Sequence, residues 1–175
     1  VISSSVNAGA VSGTFTNVSV PVVVLENFVF DDMGMTGPEA THAGTATGTQ
    51  TAMTGTSHPL AALMTGSPTV YNSTGDIGWG IPGGNAIKAS ALTSDATKAT
   101  VFGYEAGTAM FTGISPARRV GLFLRPQSAN SKGLAFFDAA VRWATERRAP
   151  ALLVTGNTSL TAADQALVAR LSAQR

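Results

Sequence analysis

Four carboxylates follow stretches of the chain that are predicted to be strands, and such positions are candidates for ligand binding or catalysis. Glu26 and the pair Asp31-Asp32 come after the apolar run VPVVVL, and Glu105 comes after the run TVFGY. Open α/β sheets bind their ligands outside the carboxyl ends of the strands. Several carboxylates there, together with loop carbonyls and water, would suit a hard cation such as Ca²⁺ or Mg²⁺.

This chemistry predicts a small metal-dependent hydrolase as one function. A cation held by Asp31 and Asp32 would polarise the carbonyl of an ester or lactone and activate water. Glu26 and Glu105 would then be the catalytic pair, and a glycoside is a further candidate substrate. The plainer interpretation, which we favour, is that these acids cap helices and accept hydrogen bonds from loop amides.

The other reactive residue types give less support for catalysis. The chain has no Cys, which excludes disulfides, thiolate metal sites and a cysteine nucleophile. His58 precedes Pro59, where it is expected to position a turn, and His42 lies in a predicted loop. The serines at 3–5 would be nucleophiles only beside a histidine, and no Gly-x-Ser-x-Gly motif occurs.

Two further features concern ligands. The Gly-rich residues 75–84 lack the Lys-Ser/Thr of a phosphate loop, so nucleotide binding is not expected. Trp79, Tyr71 and Tyr104 would suit a sugar-binding surface, although packing in a core or hairpin is the commoner use of such residues.

The elements that must position these residues are read from apolar patterns. Residues 20–26, rich in β-branched side chains, are typical of a strand buried on both faces. Helical spacing predicts a helix over 131–147, and Thr161 with Asp164 forms a capping box that opens a last helix. The remaining predictions are a strand at 1–5, a short strand at 49–54, a helix from Ser57 to Met64, a strand at 68–71, a loop at 72–84, a strand at 86–92, a hairpin at 100–105 and 108–111, and strands at 118–124 and 151–155.

Composition limits the class of protein. The 175 residues predict a single domain over 1–175, and only 12% of them are charged, which is typical of secreted bacterial proteins. The printed chain carries no signal-peptide pattern and no apolar stretch of about 20 residues, so export is expected from composition alone and a membrane span is not expected. Residues 116–175 are basic, but without interleaved exposed aromatics, so nucleic-acid binding is not expected either.

The chain resembles a class I glutamine-amidotransferase-like domain of the ThuA-like type found in secreted bacterial proteins. The segments that carry the resemblance are VISSS, PVVVLENFVFDDMGMTG, SHPLAALMTG, FGYEAG and ARRVGLFL…GLAFFDAAVRWA. The closing piece ALLVTGNTSLTAADQALVARLSAQ resembles the first strand and helix of the same kind of domain.

This resemblance implies a flavodoxin-like fold with a mostly parallel sheet flanked by helices and an inserted β-hairpin region. The body, residues 1–148, would be completed by a strand–helix unit, residues 149–175, in permuted order. Such a chain is either a circular permutant or is cut across two repeats. Strand 151–155 is expected beside strand 1–5, and its exchange with a neighbouring molecule would instead give self-association.

The resemblance also places Glu26 where amidotransferases carry the catalytic Cys, with Val24 and Phe28 in place of the flanking glycines. Tyr104-Glu105 stands where the family has His followed by Glu. Because nucleophile and base are both replaced, amidotransferase activity is not expected. The expected function is a module of a secreted bacterial protein that binds a small molecule or carbohydrate or is structural; the alternative is the hydrolase described above.

Overall fold

The computed structural model describes residues 1–145, 153–156 and 159–173. The strands are β1 (Val22–Val24), β2 (Ala43–Gly48), β3 (Thr51–Met53), β4 (Gly75–Gly80), β5 (Ile87–Leu92), β6 (Asp95–Tyr104) and β7 (Arg119–Leu122). The α-helices are α1 (Ala8–Val11), α2 (Glu39–His42), α3 (Ser131–Thr145) and α4 (Ala162–Ser172), and short 3-10 helices span Ser12–Phe15, Asn27–Val29 and Pro59–Ala61.

The seven strands form one mixed sheet. Its main path runs β1-β7-β6-β4-β2, and β5 pairs with both β6 and β3. The α/β class, with a central sheet flanked by helices and an inserted β-region, is confirmed. The sheet is mixed rather than mostly parallel, since only the β1–β7 pair of these seven strands is parallel. Only two residues separate β5 from its partner β6, which is too short for a parallel crossover.

Further parallel pairing extends the sheet beyond β1. Ile2 forms parallel bridges with both Val24 and Val154. The Ser3 amide donates to the Val154 carbonyl at 3.1 Å, and the Val154 amide donates to Val1 at 2.9 Å. The C-terminal segment therefore lies beside residues 1–5, as expected. The permuted strand order that the resemblance implies stays a prediction.

A separate apolar core lies on each face of the sheet, because successive strand residues point to opposite sides. On one face Val23, Val101 and Val120 pack with Phe136, Phe137 and Trp143 of α3. On the other face Val22, Val24, Phe102 and Tyr104 pack with Phe30, Met33 and Met35. These two layers explain why residues 22–27 are all buried.

Several boundaries differ from the sequence predictions. Residues 75–80 form β4, although 72–84 is predicted as a loop, and 108–111 is not a strand. His58, not Ser57, caps the short 3-10 helix that replaces the predicted helix to Met64. Within 1–5 only Ile2 pairs in the sheet, and residues 153–155 are half-buried rather than fully buried. Residues 146–152 and 157–158, which include parts of the predicted helix and last strand, lie outside the described residues.

Candidate functional site

The carboxyl ends of β1 and β7 hold a buried ion pair. Because these strands are parallel neighbours, Glu26 and Arg125, which follow them, come together. Arg125 Nη1 lies 3.1 Å from Glu26 Oε2, and the Glu26 residue is 6% exposed. Arg125 Nη1 also donates to the Ser4 carbonyl at 3.0 Å, and Nη2 donates to Asn27 Oδ1 at 3.2 Å.

The local backbone around Glu26 is relaxed. Glu26 has φ −90° and ψ 107°, and its Oε1 accepts a hydrogen bond from the Phe28 amide at 3.3 Å, which caps the 3-10 helix Asn27–Val29. A nucleophile elbow would instead present its residue on a sharp, strained turn. Glu26 thus serves as a helix cap and a counter-ion, and its predicted catalytic role stays a prediction.

Asn27 completes this cluster with an unusual feature. The Asn27 side chain is buried, and its Oδ1 accepts a hydrogen bond from Arg125. The Nδ2 atom of the same amide therefore points away from Arg125. Nδ2 has no hydrogen-bond partner among the described residues. A buried donor of this kind is ordinarily satisfied by an internal water molecule.

A second buried carboxylate lies beside this pair. Ser3 Oγ donates to Asp164 Oδ1 at 2.6 Å, Ser5 Oγ donates to the same oxygen at 3.1 Å, and Thr161 Oγ1 donates to Oδ2 at 2.7 Å. Burial alone would raise the pKa of Asp164, but these hydrogen bonds together hold the pKa below its ordinary value. These hydrogen bonds connect the start of α4 to residues 3–5. The hydroxyls of Ser3 and Ser5 both donate to the Asp164 carboxylate.

The opposite end of β7 holds a more exposed pair. Arg118 Nε lies 2.6 Å from Glu105 Oε2, and Nη2 lies 3.2 Å from Oε1. The guanidinium covers the Trp143 ring at 4.7 Å from its centroid, and Nη1 donates to the Trp143 carbonyl at 2.6 Å. His58 meets the same ring edge-on at 5.3 Å.

Glu26 and Glu105 are therefore not brought together. Strand β6 runs antiparallel to β7, with Tyr104 opposite Arg119, so Glu105 lies at the amino end of β7. Glu26 lies at the carboxyl end. Arg118 and Arg125 are seven positions apart in the sequence, a separation that spans up to about 23 Å in an extended chain. Glu105 therefore does not share the carboxyl end of β7 with Glu26, because β6 pairs with β7 in the antiparallel direction.

Asp31 and Asp32 are members of neither of these two ion pairs. Asp31 Oδ2 accepts from the Glu39 amide at 2.9 Å, at the start of α2. Burial, followed by the neighbouring Asp31 charge, raises the pKa of Asp32. Over 1–145, 153–156 and 159–173, no group of three or more His, Cys, Asp or Glu side chains could hold a metal ion. A metal bound by this pair of aspartates alone stays a prediction.

The histidines have structural contacts. His58 Nδ1 accepts from the Leu60 amide at 3.2 Å, which agrees with a role in positioning the turn, and burial lowers the pKa of His58. His42 Nδ1 lies 2.7 Å from Thr41 Oγ1, and its ring packs on Phe111. In this structure the hydroxyls of Ser3 and Ser5 have Asp164, not a histidine, as their partner.

The predicted sugar-binding aromatics divide into two groups. Tyr71 and Tyr104 are 1% and 0% exposed, so neither can line a surface. The Tyr104 hydroxyl donates to the Met35 carbonyl and accepts from the Gly83 amide, and burial raises the pKa of Tyr104 to about 12. Trp79 alone is partly exposed.

A cavity of about 250 Å³ lies between the β2–β4 strand pair and the β3–β5 strand pair. Strand β2 pairs with β4 whereas β3 pairs with β5, so Thr49 and Gln50 carry the chain from one strand pair to the other. The lining residues come from these two pairs and the β5–β6 turn: Ala46, Thr47, Gly48, Thr49, Gln50, Ile77, Leu92, Thr93 and Ser94. None of these side chains is charged.

Sequence reasoning missed this cavity. Its polar lining comes from the segments TGTQ and TS, which lie almost 50 residues apart along the chain and contain no acid, base or histidine. The available signal in the sequence was that both segments consist of neutral residues, most of them able to form side-chain hydrogen bonds, and lie next to short strands. That signal carries little information until the strand pairing is known.

No family model, curated protein or solved structure matches this chain. The resemblance to a ThuA-like domain therefore stays a prediction. None of the helices in the described part of the chain combines the length and the apolar character that a membrane crossing requires.

Proposed function

We propose that this protein is a binding module for a small, neutral, hydroxylated ligand of the carbohydrate class. The observation that carries the proposal is the cavity of about 250 Å³ between the β2–β4 and β3–β5 pairs. Small-molecule sites are concave and combine apolar surface with polar groups that fix the orientation of the ligand.

The chemistry of the lining supports a sugar over other small molecules. Thr49, Thr93 and Ser94 have hydroxyls that both donate and accept, and Gln50 has an amide that does the same. Ala46, Ile77 and Leu92 supply apolar surface. A sugar ring presents hydroxyls at its edge and C–H groups on its faces, so it can use both kinds of lining.

The absence of charge in the lining bears on the ligand's charge. An anion or cation transferred from water into this cavity would lose hydration without gaining an ionic partner from the lining. A neutral ligand avoids that cost. At roughly 0.3 kcal/mol for each of about 12 heavy atoms, a hexose would bind with a Kd in the millimolar range.

The hydrolase receives less support. Its two proposed catalytic carboxylates, Glu26 and Glu105, lie at opposite ends of β7, and each is paired with an arginine. A general acid and a general base must both reach one substrate. Location outside the cell and origin in a bacterial protein rest on composition and resemblance, and they remain parts of the proposal.

The proposal is tested by titrating the ¹⁵N-labelled protein with glucose, galactose, mannose, xylose and glycerol while recording amide spectra. We expect one or more sugars to shift the amides of 46–50 and 92–94 in a saturable manner. Gln50→Ala and the isosteric Thr93→Val should weaken binding several-fold, because each removes a hydrogen-bonding group from the lining.

Gln165→Ala is the matched control, since Gln165 is an exposed residue of α4. It should leave the affinity unchanged. If no sugar shifts the cavity amides, or if the shifted amides lie elsewhere, the proposed function is wrong.

A further inference from the structure

An aromatic side chain lies next to the cavity on the same face of the sheet. Ile77 lines the cavity, and Trp79 follows it by two residues on β4, so both side chains point to one side. The spacing along the strand is about 7 Å, which is comparable to the width of one sugar ring. Trp79 is partly exposed and packs against the same core as Ile77.

The indole lies across the neighbouring strand because that strand has a glycine there. Trp79 pairs directly with Gly44 of β2. A Cβ atom at position 44 would lie only 2.6 Å from Trp79 Cζ2. A side chain at position 44 would therefore clash with the indole and displace it from β2. The indole can lie against β2 because residue 44 is a glycine.

Lys98 covers this ring from β6. Its Nζ lies 4.6 Å from the centre of the Trp79 ring and 3.6 Å from Asp95 Oδ2. The side chains of Lys98 and Asp95 are 34% and 36% exposed. Partly exposed contacts of this kind exchange readily with water, so the lysine can leave the ring face without breaking the fold.

We propose that the cavity and the face of Trp79 form two adjoining subsites for a neutral oligosaccharide, with Lys98 as a displaceable cover over the second subsite. This inference rests on the proposed function, because it extends the ligand from one sugar to at least two. Indole faces bind the C–H faces of sugar rings, which accounts for an aromatic group at this spacing.

The test compares glucose with cellobiose, cellotriose, maltose and maltotriose, with the indole N–H signals as the readout. The chain has two tryptophans, so Trp79→Phe assigns their two indole signals. We expect at least one disaccharide to bind about tenfold more tightly than glucose and to shift the Trp79 indole, because stacking on an aromatic ring is worth about that factor.

Trp79→Ala and Trp79→Leu should remove this tenfold gain and leave glucose affinity unchanged, which also shows that the variants are folded. Trp143→Phe, at the other end of the sheet, is the control and should change neither affinity. Lys98→Met should raise disaccharide affinity about two- to fivefold, because it abolishes the Asp95 pairing that holds the cover in place.

The outcomes separate the two proposals. If glucose binds the cavity but disaccharides bind no more tightly, or if the tenfold gain survives in both Trp79 variants, the second subsite is wrong and the proposed function stands. If Lys98→Met weakens disaccharide binding, Lys98 is a ligand contact and not a cover. If no saccharide binds at all, the proposed function itself is wrong.

Discussion

The two ends of β7 each hold a glutamate–arginine pair, and they differ mainly in their surroundings. At the carboxyl end, Arg125 and Glu26 have side chains that are 17% and 7% exposed. At the amino end, Arg118 is 16% exposed but Glu105 is 43% exposed. The more exposed pair has the shorter contact, 2.6 Å against 3.1 Å. Contact distance is thus a poor guide to which pair matters more for stability.

Desolvation accounts for the difference. Removing one partner of a buried pair leaves an uncompensated charge away from water, which costs about 3–5 kcal/mol. At the amino end the Glu105 carboxylate is already partly solvated, so the loss of this carboxylate costs about 0–1 kcal/mol. The carboxyl end of β7 is therefore expected to be a stability determinant, and the amino end is expected to be nearly neutral.

The largest effect is expected for Arg125→Met. This change removes the donor that serves Glu26, Asn27 and the Ser4 carbonyl, and it should lower the free energy of unfolding by about 3–5 kcal/mol in urea titrations. Arg142→Met, at an exposed position of α3, is the control and should change it by less than about 0.5 kcal/mol. A loss below about 1 kcal/mol for Arg125→Met would show that the two ends do not differ.

A smaller effect is expected for Asp164→Asn, which tests the second buried carboxylate at the same end. Loss of the charged acceptor for Ser3, Ser5 and Thr161 should cost about 1–3 kcal/mol at neutral pH. Because the pKa of Asp164 is lower in the folded state than its ordinary value of 3.8, its contribution is complete above that value and is lost as the pH falls through the folded pKa.

The stability of the Asp164→Asn variant should therefore fall less steeply than that of the wild type as the pH drops below about 4. Urea unfolding at a series of pH values measures both slopes. Asp76→Asn, at an exposed aspartate on β4, is a control for the loss at neutral pH. Parallel curves for the Asp164 variant and the wild type would contradict the pKa direction.

Glu105→Gln should have a still smaller effect, below about 1 kcal/mol, because the Glu105 side chain is 43% exposed and a glutamine oxygen can still accept a hydrogen bond from Arg118. The difference from the wild type should shrink further in about 1 M salt, where exposed charges are screened. Thermal melts at low and high salt provide the measurement. A loss as large as that of Arg125→Met would mean that exposure does not set the value of these pairs.

The smallest effect is expected from calcium. Asp31 and Asp32 lack a third carboxylate or histidine within the described residues, and Asp31 already accepts from the Glu39 amide. About 5 mM calcium should add less than about 0.5 kcal/mol, or roughly 1–2 °C in Tm, relative to chelator. A larger rise that disappears in Asp31→Asn would instead establish the predicted metal pair.

Features that depend on near neighbours in sequence could be predicted from the sequence. The capping box of Thr161 and Asp164 is present as expected, since both residues lie within one turn. The buried strand at β1 and the helix α3 also follow from their apolar patterns. Burial along this segment is less regular: Leu167 of α4 is buried, but Val168 is 39% exposed, and Leu160, which precedes the helix, is 44% exposed.

Features that depend on strand pairing could not be predicted. The glycines of β4 suggest a loop, yet a Cβ at Gly80 would lie 2.8 Å from Thr36 Cγ2, so a strand passes there only because it has no side chain. The pattern of residues 118–124 predicts a strand, but it does not predict that the buried guanidinium of Arg119 donates to the carbonyls of Thr16, Val18 and Val20. Neither contact leaves a local pattern in the sequence.

The sequence by itself therefore determined which segments are apolar, where two helices begin, and that acids follow the strand at 20–26. The tertiary structure alone decided what those acids face. It placed Arg125 beside Glu26 through a parallel pair and moved Glu105 to the far end of β7 through an antiparallel one. The tertiary structure also forms the cavity between the β2–β4 and β3–β5 pairs and places the Trp79 ring against Gly44. Strand direction and register are long-range properties, because a pair of strands is chosen by packing across the whole sheet and not by the residues next to each strand.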